Sequence, residues 1–145
     1  MRTLDRLAGS WAFTMQHCAV AEPVTGTQTY RWVLDDAFLQ QDWAYDRPDF
    51  PDAVSMLAEH RLHYFDVRGI VRVFELELEE SGWSMIRRDD DFWQRLNSRF
   101  IDDDTIEGSG ELSYDEGATW EHDYSLVCRR VVRAGRLSSP YDPTP

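Results

Sequence analysis

Apolar and polar residues alternate with a period of two along most of this chain. Ser10 to Cys18 places Trp11, Phe13, Met15 and His17 on one face, which predicts a strand. Thr27 to Leu34 is rich in Thr, Tyr, Trp and Val, and predicts a second strand. Asp35-Asp36 predicts a tight turn. Ala37 to Asp46 predicts a third strand, with Leu39, Gln41, Trp43 and Tyr45 on one face. Arg47 to Val54 holds two prolines and reads as a loop, and Ser55 to Glu59 as a helical turn. His60 to Phe65 and Gly69 to Glu79 form a hairpin, and Trp83 to Arg88 follows Glu80-Ser81-Gly82. Thr3 to Leu7 suits one N-terminal helical turn, capped by Thr3 and ended by Gly9.

The stretch from Phe92 to Arg130 holds three alternating runs separated by two acidic turns, an antiparallel meander. The turn at Asp102 to Asp104 pairs Phe100 with Ile106 and Ser98 with Gly108. The same register sets Arg95 opposite Glu111 and Arg99 opposite Glu107, two favourable cross-strand pairs. A three-residue loop at Asp115 to Gly117 pairs Leu112 with Trp120, Gly110 with His122 and Gly108 with Tyr124. Even positions then face inward, among them Leu96, Ile106, Trp120, His122, Tyr124 and Cys128. In total about nine short strands with regular turns and almost no helix predict an all-β protein. The aromatic faces favour a closed antiparallel barrel over a sandwich.

The chain has 145 residues, enough for one domain with its own core. We place the barrel at residues 1–133 and a disordered, Pro- and Ser-rich tail at residues 134–145. Six Trp and an aromatic content of 13% imply either a dense core or a lined cavity. The net charge of −12 argues against nucleic acid and anionic membranes as partners. All 15 basic residues are Arg, which excludes Schiff-base, P-loop and kinase-type lysine chemistry. Cys18 and Cys128 lack zinc or redox spacing. No run approaches the ~20 apolar residues of a membrane span, and no signal peptide is evident, so a soluble, cytoplasmic protein is expected.

Leu7-Ala-Gly-Ser-Trp11 resembles the Gly-x-Trp opening of the calycin superfamily, which includes lipocalins and fatty-acid-binding proteins. The later segment resembles a family of uncharacterised bacterial lipocalin-like proteins. The matching residues are Phe92, Gln94-Arg95, the acidic turn, Thr105-Ile106, Gly108, Tyr114-Asp115, Gly117, and Thr119-Trp120-Glu121 with Asp123. His63 to Asp66 and Arg68-Gly69 belong to the same likeness. The acidic turn lacks the usual Gly, and Ser109-Gly110 stands where a bulky residue is expected. The resemblance implies a calycin-like barrel in which a basic residue of the last strand, here Arg130, covers Trp11 in a contact of about 1 kcal/mol. That pairing sets His17 beside Tyr124 and Cys18 near Asp123, away from Cys128, so no disulfide is expected.

The candidate ligand-binding residues are His17, Tyr30, Trp32, Trp43, Tyr45, Arg72, Gly108, Gly110, Trp120, His122 and Tyr124. His17 and His122 at one level would suit acid–base work or ligand orientation; alternatively they sit at a solvated rim. Arg72 shares parity with Phe74 and Leu76 and would fit a carboxylate or enolate, unless it snorkels out at a barrel end. Gly108 and Gly110 either leave room for a ligand or make room for neighbouring aromatics. The aromatic set, with Tyr64, is core or cavity wall. His60 and His63 point to opposite faces of a strand and cannot share a metal. The acidic runs lack a calcium-loop pattern, and no nucleophile elbow is present. The function expected is binding of a small hydrophobic or aromatic molecule inside the barrel. The alternatives are a cyclase or isomerase of a secondary-metabolite intermediate, haem binding through one inward His, and a filled barrel used for interaction. Whether the protein is an enzyme is left open, no cofactor is assigned, and a homodimer is admitted.

Overall fold

The structure of the chain, a computed structural model, describes residues 3–131. The proposed tail at residues 134–145 lies outside them. Ten strands close into one antiparallel barrel, each hydrogen-bonded to its sequence neighbours, with the last returning to the first. They are β1 (Gly9–His17), β2 (Val24–Val33), β3 (Phe38–Tyr45), β4 (Ala53–Leu57), β5 (Arg61–Asp66), β6 (Val71–Glu79), β7 (Gly82–Arg88), β8 (Trp93–Asp102), β9 (Thr105–Ser113) and β10 (Glu121–Arg130). A single 3₁₀ turn, Thr3–Leu7, precedes them. Closure removes every sheet edge from solvent.

The fold class is as the alternation predicts, with one strand more. The extra strand is β4, where a helical turn was expected. Ala53, Ser55 and Leu57 are buried and face in. A five-residue segment is too short for its period to declare itself, and pairing with β3 and β5 decides it.

The closing seam matches its expected register, with Trp11 opposite Arg130 and His17 opposite Tyr124. The guanidinium of Arg130 lies 4.3 Å from the Trp11 ring. It also donates to the carbonyls of Arg6, Ala8 and Asp103 and to the Asp104 carboxylate. One side chain therefore ties β10, the 3₁₀ turn and the β8–β9 turn together. Gly9 leaves the 3₁₀ turn at φ +117°, a conformation suited to glycine, with Arg130 packed close by. Leu4 and Leu7 are buried, Trp11 donates to the Leu7 carbonyl, and Thr3 and Arg6 donate to the carbonyls of Glu79 and Glu80. The 3₁₀ turn is thus a plug over one end of the barrel.

The β8–β9 register is as derived from charge, including Arg95–Glu111 at 2.7 Å and Arg99–Glu107 at 3.1 Å. The β9–β10 register differs. Asp115 accepts from Ser113 Oγ and Thr119 and folds 114–120 into a longer loop, so Leu112 pairs with Glu121. A bulge between His122 and Tyr124 then adds another residue, and Gly110 meets Tyr124 while Gly108 meets Leu126. A slip of one residue turns side chains to the other face of a sheet, and the bulge restores the parity beyond it.

The inward faces are layered. Nearest the plug runs an apolar row, Trp32–Leu39–Leu57–Leu62–Phe74, each residue directly opposite the next across β2 to β6. The next row outward is Tyr30–Gln41–Ser55–Tyr64–Arg72 in the same cross-strand order. Beyond it lies Gln28–Trp43–Ala53–Asp66. The polar middle row sits above an apolar floor.

Candidate functional site

Between these rows lies a cavity of about 350 Å³. It reaches the barrel end opposite the plug, where Phe50, Pro51 and Arg68 help line it. A shallower groove of about 640 Å³ runs over the outside of β1 and β7–β10, lined by small polar residues such as Thr14, Ser109 and Ser125. It is a solvated surface, and the enclosed space is the candidate site.

One wall is aromatic. Phe13 sits edge-on to Trp43 at 5.4 Å and to Tyr45 at 5.5 Å. Trp43 and Tyr45 stack at 5.8 Å, and Phe50 continues the series to His17. The strand period puts Trp43 and Tyr45 on one face, and offset or edge contacts of such rings are favourable. Burial pushes the phenols of Tyr30, Tyr45 and Tyr124 far above their usual range, so all three are neutral donors and acceptors.

The polar row supplies the directional contacts. Gln41 Nε2 donates to Tyr30 OH at 2.8 Å, and Tyr30 OH donates to Gln28 Oε1 at 3.1 Å. Ser55 is 1% exposed, lines the cavity, and its hydroxyl has no hydrogen-bond partner among the described residues. Further round the row, Tyr64 OH donates to Asp66 at 2.9 Å, and burial and that bond raise the phenol to about 12. Arg68 caps the same carboxylate at 2.6 Å and, with Tyr64, holds Asp66 at about 2 despite its burial. At the row's end stands Arg72, with its guanidinium 5.4 Å from the Phe92 ring.

At the mouth, His17 Nδ1 accepts from the Ala19 N–H at 3.0 Å, which leaves the ring proton of the neutral imidazole on Nε2. Nε2 faces Asp123 at 3.4 Å, and the Cys18 thiol donates to the same oxygen at 3.6 Å. These three side chains are close enough to share a metal ion. Their hydrogen bonds speak against one, because Nε2 would have to lose its proton while Nδ1 is held as an acceptor. Burial and the Asp123 charge raise the Cys18 thiol, so it is not an activated thiolate.

Of the candidate residues, His17, Tyr30, Trp43, Tyr45, Arg72 and Tyr124 line the cavity together. Trp32 lies in the floor row and packs against the core. Two expectations are corrected. His122 is exposed, opposite Glu111 and 3.2 Å from Ser125 Oγ, because the bulge at Asp123 turns it out. Trp120 belongs to the loop and stacks under Arg95 at 4.0 Å on the outer face. The room left by the glycines is also taken: a Cβ on Gly110 would strike the Tyr124 ring, and one on Gly108 would meet Ser98 Oγ. Gly110 therefore makes space for an aromatic of the protein itself.

Sequence reasoning did not find Gln28, Ser55, Arg87, Gln94 or Asp123. The parity of β7 carried a signal for Arg87, since Trp83, Met85 and Arg87 share a face. Arg87 is 3% exposed and is held by Asp89, Asp91 and Gln94. Asp123 is placed by a bulge, which no periodicity reveals.

No protein-family model and no curated protein matches the chain. Solved structures do. A protein of unknown function from the DUF3598 family of Nostoc punctiforme superposes with a TM-score of 0.60 at 13% identity, over 88% of this chain. The chain spans about half, 49%, of that protein's length. An S-type phycobiliprotein lyase from Guillardia theta superposes with a TM-score of 0.57 at 12% identity, over 92% of this chain and 94% of that one. At such identities the likeness is one of fold. The architecture is consistent with a lipocalin-like barrel: all-β, antiparallel and closed, with an internal cavity. Among the described residues, no helix is long and apolar enough to cross a membrane.

Proposed function

We propose that this protein binds a small, largely apolar or aromatic molecule inside its barrel. The observation that carries the reading is the cavity itself: about 350 Å³, plugged at one end and walled by Trp43, Tyr45, Tyr30 and Tyr124. A concave, mostly apolar space with a few placed polar groups is the usual form of a small-molecule site. The test is titration with N-phenyl-1-naphthylamine, an uncharged dye that fluoresces in apolar sites. Saturable one-to-one binding that is lost when the cavity is filled by Ser55→Trp is expected. Absence of saturable binding would overturn the reading.

Catalysis in the same cavity is the second reading, of the cyclase or isomerase kind. It rests on the His17–Asp123 pair at the wall, with its tautomer fixed by Ala19, and draws support from a barrel of this architecture being a lyase in Guillardia theta. Haem binding is not carried, because His17 has both ring nitrogens engaged, His60 and His122 are exposed outside the barrel, and His63 faces outward between the inward Leu62 and Tyr64 of β5.

A further inference from the structure

Arg72 differs from its charged neighbours. Arg68 is matched by Asp66, and Arg87 by Asp89 and Asp91 through Nη1, although Arg87 Nη2 is buried with no hydrogen-bond partner among the described residues. Among the described residues, Arg72 has no carboxylate within ion-pair distance, and its guanidinium lies over the Phe92 ring. It nevertheless lines the cavity, at the end of the Tyr30–Gln41–Ser55–Tyr64–Arg72 row. Arg72 is half-buried between the cavity and the outer groove of Asp89 to Asp91, and a guanidinium without an ion-pair partner is open to an anion that reaches it from the cavity.

A second donor faces the same space. Gln94 lines the same cavity, and its Oε1 accepts from Arg87 Nε at 2.9 Å. That bond fixes the amide, so Nε2 is its donor end, and Nε2 has no acceptor among the described residues. Arg87 is in turn buried and anchored by two aspartates, which makes it a positioning residue for Gln94.

We infer that the ligand is an amphipathic monoanion, an apolar or aromatic body bearing one carboxylate or enolate, with that group on Arg72 and Gln94 Nε2. The inference rests on the proposed cavity binding and narrows its ligand class. A planar guanidinium matches a carboxylate in a two-pronged pair, and a neighbouring amide donor completes the oxygen's coordination. The charge balance favours a single negative charge over a phosphate dianion. The protein carries a net −12, and Asp91 lies within the electrostatic reach of Arg72. The ligand's body then lies against the aromatic wall of Trp43 and Tyr45, with Ser55 Oγ in the cavity lining to meet a neutral heteroatom.

The test uses two dyes that share an anilinonaphthalene body. N-phenyl-1-naphthylamine is neutral, and 1-anilinonaphthalene-8-sulfonate carries one negative charge. The anion is expected to displace the neutral dye from the wild-type cavity. Arg72→Gln should weaken the anion about tenfold or more while leaving the neutral dye within about twofold. Arg72→Lys should restore most of the loss, and Gln94→Leu should weaken the anion alone, a second variant that does not touch Arg72. If the neutral dye binds but the anion fails to displace it, or if displacement is indifferent to both Arg72→Gln and Gln94→Leu, the inference is overturned and cavity binding stands. If neither dye binds, both fall.

Discussion

Ser55 carries a cost that the folded protein leaves unrecovered. Among the described residues its buried hydroxyl has no hydrogen-bond partner, and such a group costs about 1–3 kcal/mol. Ser55→Ala should therefore raise the stability of the unliganded protein by about 1 kcal/mol, measured by urea unfolding. A loss of similar size would mean that the hydroxyl is satisfied in solution. A residue that is better for stability when removed is kept for another purpose, and contact with a ligand atom is one such purpose. At this scale the sequence was partly legible. Strand parity put Trp43 with Tyr45, and Arg72 with Phe74 and Leu76, on shared faces, because alternation decides that much, but it did not decide which face of these middle strands points inward. It could not single out Ser55, since a small polar residue in a short strand has no pattern of its own. It misplaced His122, because one inserted residue at Asp123 reverses a side chain without leaving a trace in composition.

At the scale of elements, the plug and the seam depend on Arg130. Its guanidinium covers Trp11 and satisfies carbonyls of Arg6, Ala8 and Asp103. Arg130→Met keeps the apolar stem but leaves those carbonyls unpaired, and should cost about 2–3 kcal/mol. Urea unfolding checks the loss, and faster amide exchange in Leu4 to Ala8 would locate it at the plug. A stability change under ~0.5 kcal/mol would show that β1 and β10 close the barrel unaided. The β8–β9 pairing was legible because two opposite charges marked it on each strand. The β9–β10 pairing was not, because the side chains of Ser113, Asp115 and Thr119 build a loop longer than the Gly117 turn chemistry announces.

The whole molecule faces two opposed effects as pH falls. Net charge of −12 makes its surface self-repelling near neutrality, and partial protonation relieves this. Asp66 acts the other way. Arg68 and Tyr64 hold its carboxyl at about 2, below the ordinary 3.8, so its stabilising contribution is complete above the ordinary value and is lost as pH falls toward 2. A shift of that size corresponds to roughly 2 kcal/mol for a shielded side chain. Thermal unfolding followed against pH should show a maximum on the acid side of neutral and a steep decline below about pH 4. Asp66→Asn should lower the maximum and flatten the decline. An unchanged acid limb in that variant would assign the decline to other carboxyls. The 3₁₀ plug and the apolar row beneath the cavity have a kinetic consequence as well. A barrel closed at its floor has one doorway, so an incoming molecule cannot push an occupant out through the far side. Exchange must then proceed by departure first and entry second. The rate of ligand turnover would be set by the occupant's own escape, and would stay constant however much competitor is added.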